Sequence, residues 1–123
     1  MENNWLAELE KIFGQENVCS DHSTVREKSL DLWPRNLFLK SSGPFPTAAA
    51  VVKTGNAYVR QIQELVIWAK RFGKKIIVRG GGSGVCGAAN ATDGEIILDT
   101  SNLNKIELLH QPKGQKNGLV MAE

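Results

Sequence analysis

The sequence predicts a small α+β domain of the α/β kind, and three observations carry that prediction. Apolar, β-branched stretches at residues 48–53 and 76–79 flank a segment of helical periodicity, giving a strand–helix–strand unit. The second stretch stops at Gly80-Gly81-Gly82-Ser83-Gly84-Val85-Cys86-Gly87, five glycines in eight residues with a single hydroxyl among them. Beyond the glycines, short apolar runs at 95–99, 106–110 and 119–123 alternate with polar turns. A strand–helix–strand unit of this length implies parallel strands with a right-handed crossover, which would set Val51–Val52 beside Ile76–Val78.

In chain order, Asn4 is placed to cap a first helix with Trp5, Leu6, Leu9, Ile12 and Phe13 at helical spacing and Gly14 as its stop. Residues 15–35 read as polar and irregular, with a short helix near 24–30, and they contain Asp31-Leu32-Trp33-Pro34. Leu37-Phe38-Leu39-Lys40 is a short apolar piece suited to packing across a sheet edge, and Ser41-Ser42-Gly43-Pro44-Phe45-Pro46 is a loop by composition. Ala48–Lys53 reads as a buried strand, after which Thr54-Gly55-Asn56 caps a long helix. That helix carries Val59, Ile62, Val66 and Ala69 on one face, with Leu65 and Phe72 flanking it and Gly73 ending it. Asn117-Gly118 is a turn pair, so 106–110 and 119–122 form a hairpin. The last apolar run reaches Glu123 with no polar tail, which predicts an open strand edge able to self-associate.

The glycine run is where the chemistry lies. Without Cβ atoms a loop adopts positive φ and lets a ligand approach its backbone, and successive N–H groups then form a nest that suits phosphate. A flexible linker or a tight turn is the plainer reading, but the run sits between strong strands and holds more glycine than a turn needs. Gly82-Ser83-Gly84-Val85-Cys86-Gly87 matches G-x-G-x-x-G, yet a dinucleotide fold needs a helix after it. Only residues 88–94 separate the loop from the next strand, and Asp93-Gly94 is a turn signal, so the Rossmann reading fails on space. A Walker A loop fails too, because no Gly-Lys-Ser/Thr ends the run.

Composition narrows the field further. With 15 Lys and Arg against 13 Asp and Glu, the net charge of +2 gives no nucleic-acid footprint. Lys70, Arg71, Lys74 and Lys75 cluster at a helix end, where they complement the macrodipole. Cys19 and Cys86 make no disulfide framework, and with His22 and His110 they show no zinc-ligand spacing. No leader and no apolar run long enough for a membrane span is evident, which predicts a cytoplasmic protein with reduced cysteines. Cys86, Trp33 and Trp68 read as packing residues, His110 as a surface histidine, and Asp99 as the cap of the turn after its strand.

Two stretches, Arg79-Gly-Gly-Gly-Ser-Gly-Val-Cys-Gly-Ala and Ile96-Ile97-Leu98-Asp99-Thr100-Ser101-Asn102-Leu103-Asn104-Lys105-Ile106, resemble the FAD-linked oxidases of the vanillyl-alcohol oxidase and p-cresol methylhydroxylase (PCMH) type. The likeness is to the branch holding glycolate oxidase, D-lactate dehydrogenase and alkylglycerone-phosphate synthase, and it runs from about Pro46 to Glu123. It implies the first half of a PCMH-type FAD-binding domain at 46–123, with 1–45 as a helix and irregular lead-in. It also implies that Arg79, Gly80, Gly81, Gly82, Ser83, Gly84 and Val85 wrap the FAD pyrophosphate. Covalently flavinylated relatives place a histidine where Ser83 stands, so non-covalent FAD is implied. Ala88 replaces a common glycine and Thr54 a common proline.

Two classes of function follow. The first is part of a flavin oxidoreductase acting on a 2-hydroxy acid, whose other FAD contacts, substrate cap and catalytic residues lie beyond Glu123; the chain then reads as an N-terminal fragment partnered by the rest of its own enzyme and a small-molecule substrate. The second is a non-catalytic module binding a phosphate ligand or a partner chain. The intact mass of the native polypeptide, set against the 13.5 kDa of this chain, separates them.

Overall fold

The structure, a computed structural model, describes residues 4–123. Its elements run α1 (Trp5–Phe13), a 3-10 turn (Gln15–Asn17), β1 (Val18–Cys19), α2 (His22–Lys28), α3 (Arg35–Ser41), β2 (Ala50–Lys53), α4 (Tyr58–Phe72), β3 (Ile76–Arg79), β4 (Ile96–Asp99), β5 (Ile106–His110) and β6 (Leu119–Ala122). The first four strands form one sheet in the order β1-β2-β4-β3, with β1 antiparallel and the other three parallel. The last two form a separate antiparallel hairpin, as expected, but its turn lies at Lys113-Gly114, closed by Gln115 N–H donating to the Pro112 carbonyl at 3.2 Å, and not at Asn117-Gly118.

Alternation along the strands divides the core between the two sheet faces. Ala50, Val52, Ile96 and Leu98 pack with Leu9 and Phe13 of α1 and Leu65, Trp68 and Ala69 of α4. Val51 and Ile97 face the other way, onto Val25 of α2, Ala48 and Ala91. Both faces are covered, which is why these strands are apolar throughout.

One expectation about the sheet is corrected. Strands β2 and β3 are not neighbours, because β4 lies between them. The reason is burial: Ile96, Ile97, Leu98 and Asp99 are all buried, whereas Val78 of β3 is 63% exposed. A strand preceded by Lys74 and Lys75 and ending in Arg79 suits an edge, and the strand whose four residues are all buried takes the centre. The space argument is corrected with it. The step from β3 to β4 is parallel and is made by the glycine loop itself, residues 80–95, which contain no helix. A Rossmann crossover is absent, as expected, but the chain covers the distance in irregular backbone.

Three local expectations also change. Helix α4 has no side-chain cap from Thr54 or Asn56; instead Gln61 folds back and accepts from Gly55 N–H at 2.8 Å. Its buried side is Leu65, Trp68 and Ala69, while Val59 and Val66 are 59% and 56% exposed. Residues 37–40 belong to α3, where Leu37 and Phe38 are exposed rather than packed across a sheet edge. Asn4 and Gly14 do bound α1, although Asn4 makes no side-chain cap. Gly73 ends α4 in the left-handed conformation.

Candidate phosphate-binding site

Strands β2, β4 and β3 end on one row, Lys53–Asp99–Arg79, because their pairing carries no stagger. The next residue of each, Thr54, Thr100 and Gly80, therefore emerges at the same sheet edge. Thr54 N–H donates to the Asp99 carbonyl at 3.2 Å and Thr100 N–H to the Arg79 carbonyl at 2.8 Å, which ties the three exits together. Ligands of open parallel sheets bind outside such carboxyl ends. A polar cavity of about 410 Å³ opens beside them, lined by Thr54, Asn56, Tyr58, Asn102 and Lys105 among others.

The glycine loop leaves this row at Gly80. Gly82 has φ +70° and Gly87 φ +80°, a region that side chains with a Cβ rarely adopt. A Cβ on Gly82 would overlap the Arg79 guanidinium, so that side chain lies directly against the loop. Arg79 is only 9% exposed, and its Nε and Nη1 have no hydrogen-bond partner among the described residues. A buried guanidinium with free donors carries an unmet demand for an acceptor, preferably an anion. Gly80, Gly81, Ser83, Gly84 and Val85 are exposed. Six of the seven predicted site residues, Gly80 to Val85, thus lie on one loop, and the seventh, Arg79 at the end of β3, sets its guanidinium against that loop.

Two carboxylates near the site, Asp99 and Glu95, are held ionised by their partners, while Asp31 Oδ2, beside Gly84, is buried with no hydrogen-bond partner among the described residues. Asp99 is fully buried, with Oδ2 at 3.1 Å from Lys28 Nζ and Oδ1 accepting from Ser101 N–H at 2.9 Å. Burial pushes its pKa up, but the hydrogen bonds from Ser101 and the Lys28 ammonium outweigh it and hold the carboxyl below its ordinary value. At the far end of the loop, burial likewise raises Glu95, yet donation from the Thr92 hydroxyl and the Asp93 and Thr92 amides brings it down to about 2. Glu95 thereby fastens the turn that delivers the chain to β4.

Other predicted roles are placed as follows. Trp68 is buried between Trp5 and Phe72, at ring-centroid distances of 6.2 and 5.2 Å, as a packing anchor. Cys86 is exposed rather than packed, and both cysteines are free. His110 is exposed on β5. Sequence reasoning missed the partnership of the loop with the segment 31–36: Leu32 N–H donates to the Gly84 carbonyl, and Trp33 lies against Gly87. No group of His, Cys, Asp and Glu among the described residues could hold a metal ion, and no described helix is long and apolar enough to cross a membrane.

Parallel strands ending flush, a glycine loop off one of them and a buried unpaired arginine beneath it define a nucleotide-phosphate-binding α+β domain. The chain belongs to the FAD binding domain family, whose model matches residues 48–116. Membership implies FAD as the cofactor, and the fold resembles the first half of a PCMH-type FAD-binding domain. No curated protein matches the sequence. Among solved structures, alkyldihydroxyacetonephosphate synthase is similar at 19% identity and a TM-score of 0.74, over 92% of this chain and 21% of that one. A second structure of the same enzyme gives 20% identity and a TM-score of 0.74, over 89% and 22%. Substrate-bound p-cresol methylhydroxylase gives 19% identity and a TM-score of 0.65, over 88% and 19%. The chain thus spans about a fifth of the length of these proteins.

Proposed function

We propose that the loop Arg79, Gly80, Gly81, Gly82, Ser83, Gly84 and Val85 cradles the pyrophosphate of non-covalently held FAD, in an oxidoreductase that oxidises a 2-hydroxy acid. The observation that carries this reading is Arg79, buried, short of hydrogen-bond partners and lying against Gly82. Backbone N–H groups and Ser83 Oγ would supply the remaining donors, and Ser83 offers no imidazole for a covalent flavin link. FAD when bound supplies the hydride acceptor; this chain binds and orients it. The lead-in, residues 1–45, and the FAD-domain part, 46–123, then act with the rest of a longer cytoplasmic enzyme, which contributes the catalytic residues and the small-molecule substrate site.

In the intact protein, FAD titrated into the apo form should bind Ser83→Ala about ten- to a hundredfold more weakly than the parent, through loss of one donor to a charged phosphate. Gly82→Val should lose FAD, since a Cβ there displaces Arg79 and demands an unfavourable φ. Unchanged affinity in Gly82→Val would sink the cradle. Bleaching of the bound flavin by glycolate or D-lactate in the absence of oxygen tests the substrate. A second reading, an alkylglycerone-phosphate-synthase-like enzyme, is favoured by the TM-score of 0.74 to that synthase. A flavin that stays oxidised with every 2-hydroxy acid selects it.

A further inference from the structure

The return limb of the glycine loop is held by a segment that precedes the family match. Leu32 N–H donates to the Gly84 carbonyl at 2.9 Å, and the Trp33 ring lies so close to Gly87 that a Cβ there would come within 2.6 Å of it. Asn36 and Asn90 exchange amide hydrogen bonds of 2.9 and 3.1 Å, and Asn90 Oδ1 also accepts from Asp31 N–H at 2.9 Å. Asn36 Nδ2 donates to the Asp31 carbonyl and Oδ1 as well, and Trp33 N–H closes on the same Oδ1. Asp31 and Asn36 are 4% and 3% exposed, so these bonds are made away from water. The network ties Asn36, Asn90 and Asp31 Oδ1 into one arrangement of the limb, and leaves Asp31 Oδ2 buried without a hydrogen-bond partner among the described residues.

A nest binds an anion only while its N–H groups converge, and a loop with five glycines in eight residues has many conformations in which they do not. Bracing the loop beforehand removes that ordering cost from the binding step. We infer that Asn36, Asn90 and Trp33 form a clamp that sets the affinity of the glycine loop for the FAD pyrophosphate, as positioning residues and not as ligands. The clamp rests on the reading of the loop as a pyrophosphate cradle. It extends the determinants of cofactor affinity into the lead-in, well before residue 48, where the family match begins.

The test is FAD titration into the intact apo-protein carrying Asn36→Ala, Asn90→Ala or both, with unfolding stability measured in parallel. Each single variant should weaken FAD about ten- to a hundredfold. The double variant should be scarcely weaker than either single, because removing one side of a reciprocal pair already frees the limb. Ile62→Ala, on the opposite face of the sheet, is a control that lowers stability while leaving FAD affinity within about twofold. Should Asn36→Ala fail to fold, Asn90→Ala at its half-buried position carries the same test. Singles that bind within about twofold of the parent, alongside a Gly82→Val that has lost FAD, overturn the clamp and leave the cradle standing. Independent, additive losses in the double variant overturn it too. A Gly82→Val that binds normally overturns the cradle and the clamp together.

Discussion

Arg79 carries a conflict between stability and function. Its guanidinium is buried with Nε and Nη1 unpartnered, and an unmet buried donor costs about 1–3 kcal/mol. An apolar side chain of similar length avoids that cost. Arg79→Met is therefore expected to leave the apo-protein as stable or more so, while FAD affinity falls by at least tenfold. Chemical denaturation and flavin titration on the same variant read both effects, and a joint loss of stability and binding contradicts the argument. Glu95 is the opposite case, a buried carboxylate fully provided with donors. Its pKa is about 2 in the fold against an ordinary 4.5, so the ionised form is favoured by folding. Its contribution, about 3 kcal/mol, is complete above pH 4.5 and is lost as the pH falls toward 2. Glu95→Gln should destabilise the protein at pH 7, and the gap from the parent should narrow at pH 3; a gap that stays constant across that range would assign the loss to packing.

At the scale of elements, the sequence made the strands, the long helix and the glycine loop legible, because each has a strong periodic or compositional signal. It placed Ile62, Ala69 and the flanking Leu65 and Phe72 of α4 correctly at the core, but not Val59 and Val66. Val59 and Val66 share helical spacing with Ile62 and Ala69, and hydropathy alone does not show that Trp68, with its indole, takes the core side while the two valines face outward. Leu65→Ala should accordingly cost about 2–5 kcal/mol in urea unfolding, whereas Val66→Ala should stay within about 0.5 kcal/mol of the parent. The neighbour order of the strands was equally hidden. Pairing is a long-range property, and the insertion of β4 between β2 and β3 depends on a comparison of burial between strands that no local window contains. Of the site, the loop residues were legible from their glycines. The brace from residues 31–36 was not, since Asn36 and Asn90 lie 54 positions apart and neither carries a motif.

At the scale of the whole molecule, the four-stranded sheet is covered on both faces but the hairpin is not. Every residue of β5 and β6 is exposed, including Ile106 at 75% and Leu119 at 61%. A lone two-stranded ribbon is marginal in water, and an apolar surface of this kind marks a place where something else packs. The solved structures it resembles are about five times as long as this chain. Taken alone, the chain is expected to hold flavin weakly and to self-associate through the hairpin, with β6 offering its outer edge. Leu108 and Val120 face each other across the ribbon. Replacing them with Glu and Lys, an oppositely charged cross-strand pair, keeps the hairpin while interrupting the apolar surface at its middle. Light scattering on the isolated chain should show association that rises with concentration in the parent and is absent in the Leu108→Glu, Val120→Lys variant. A parent that remains monomeric at every concentration, or that keeps a stoichiometric yellow flavin through desalting, would mean the hairpin needs no cover and the chain suffices to hold its cofactor.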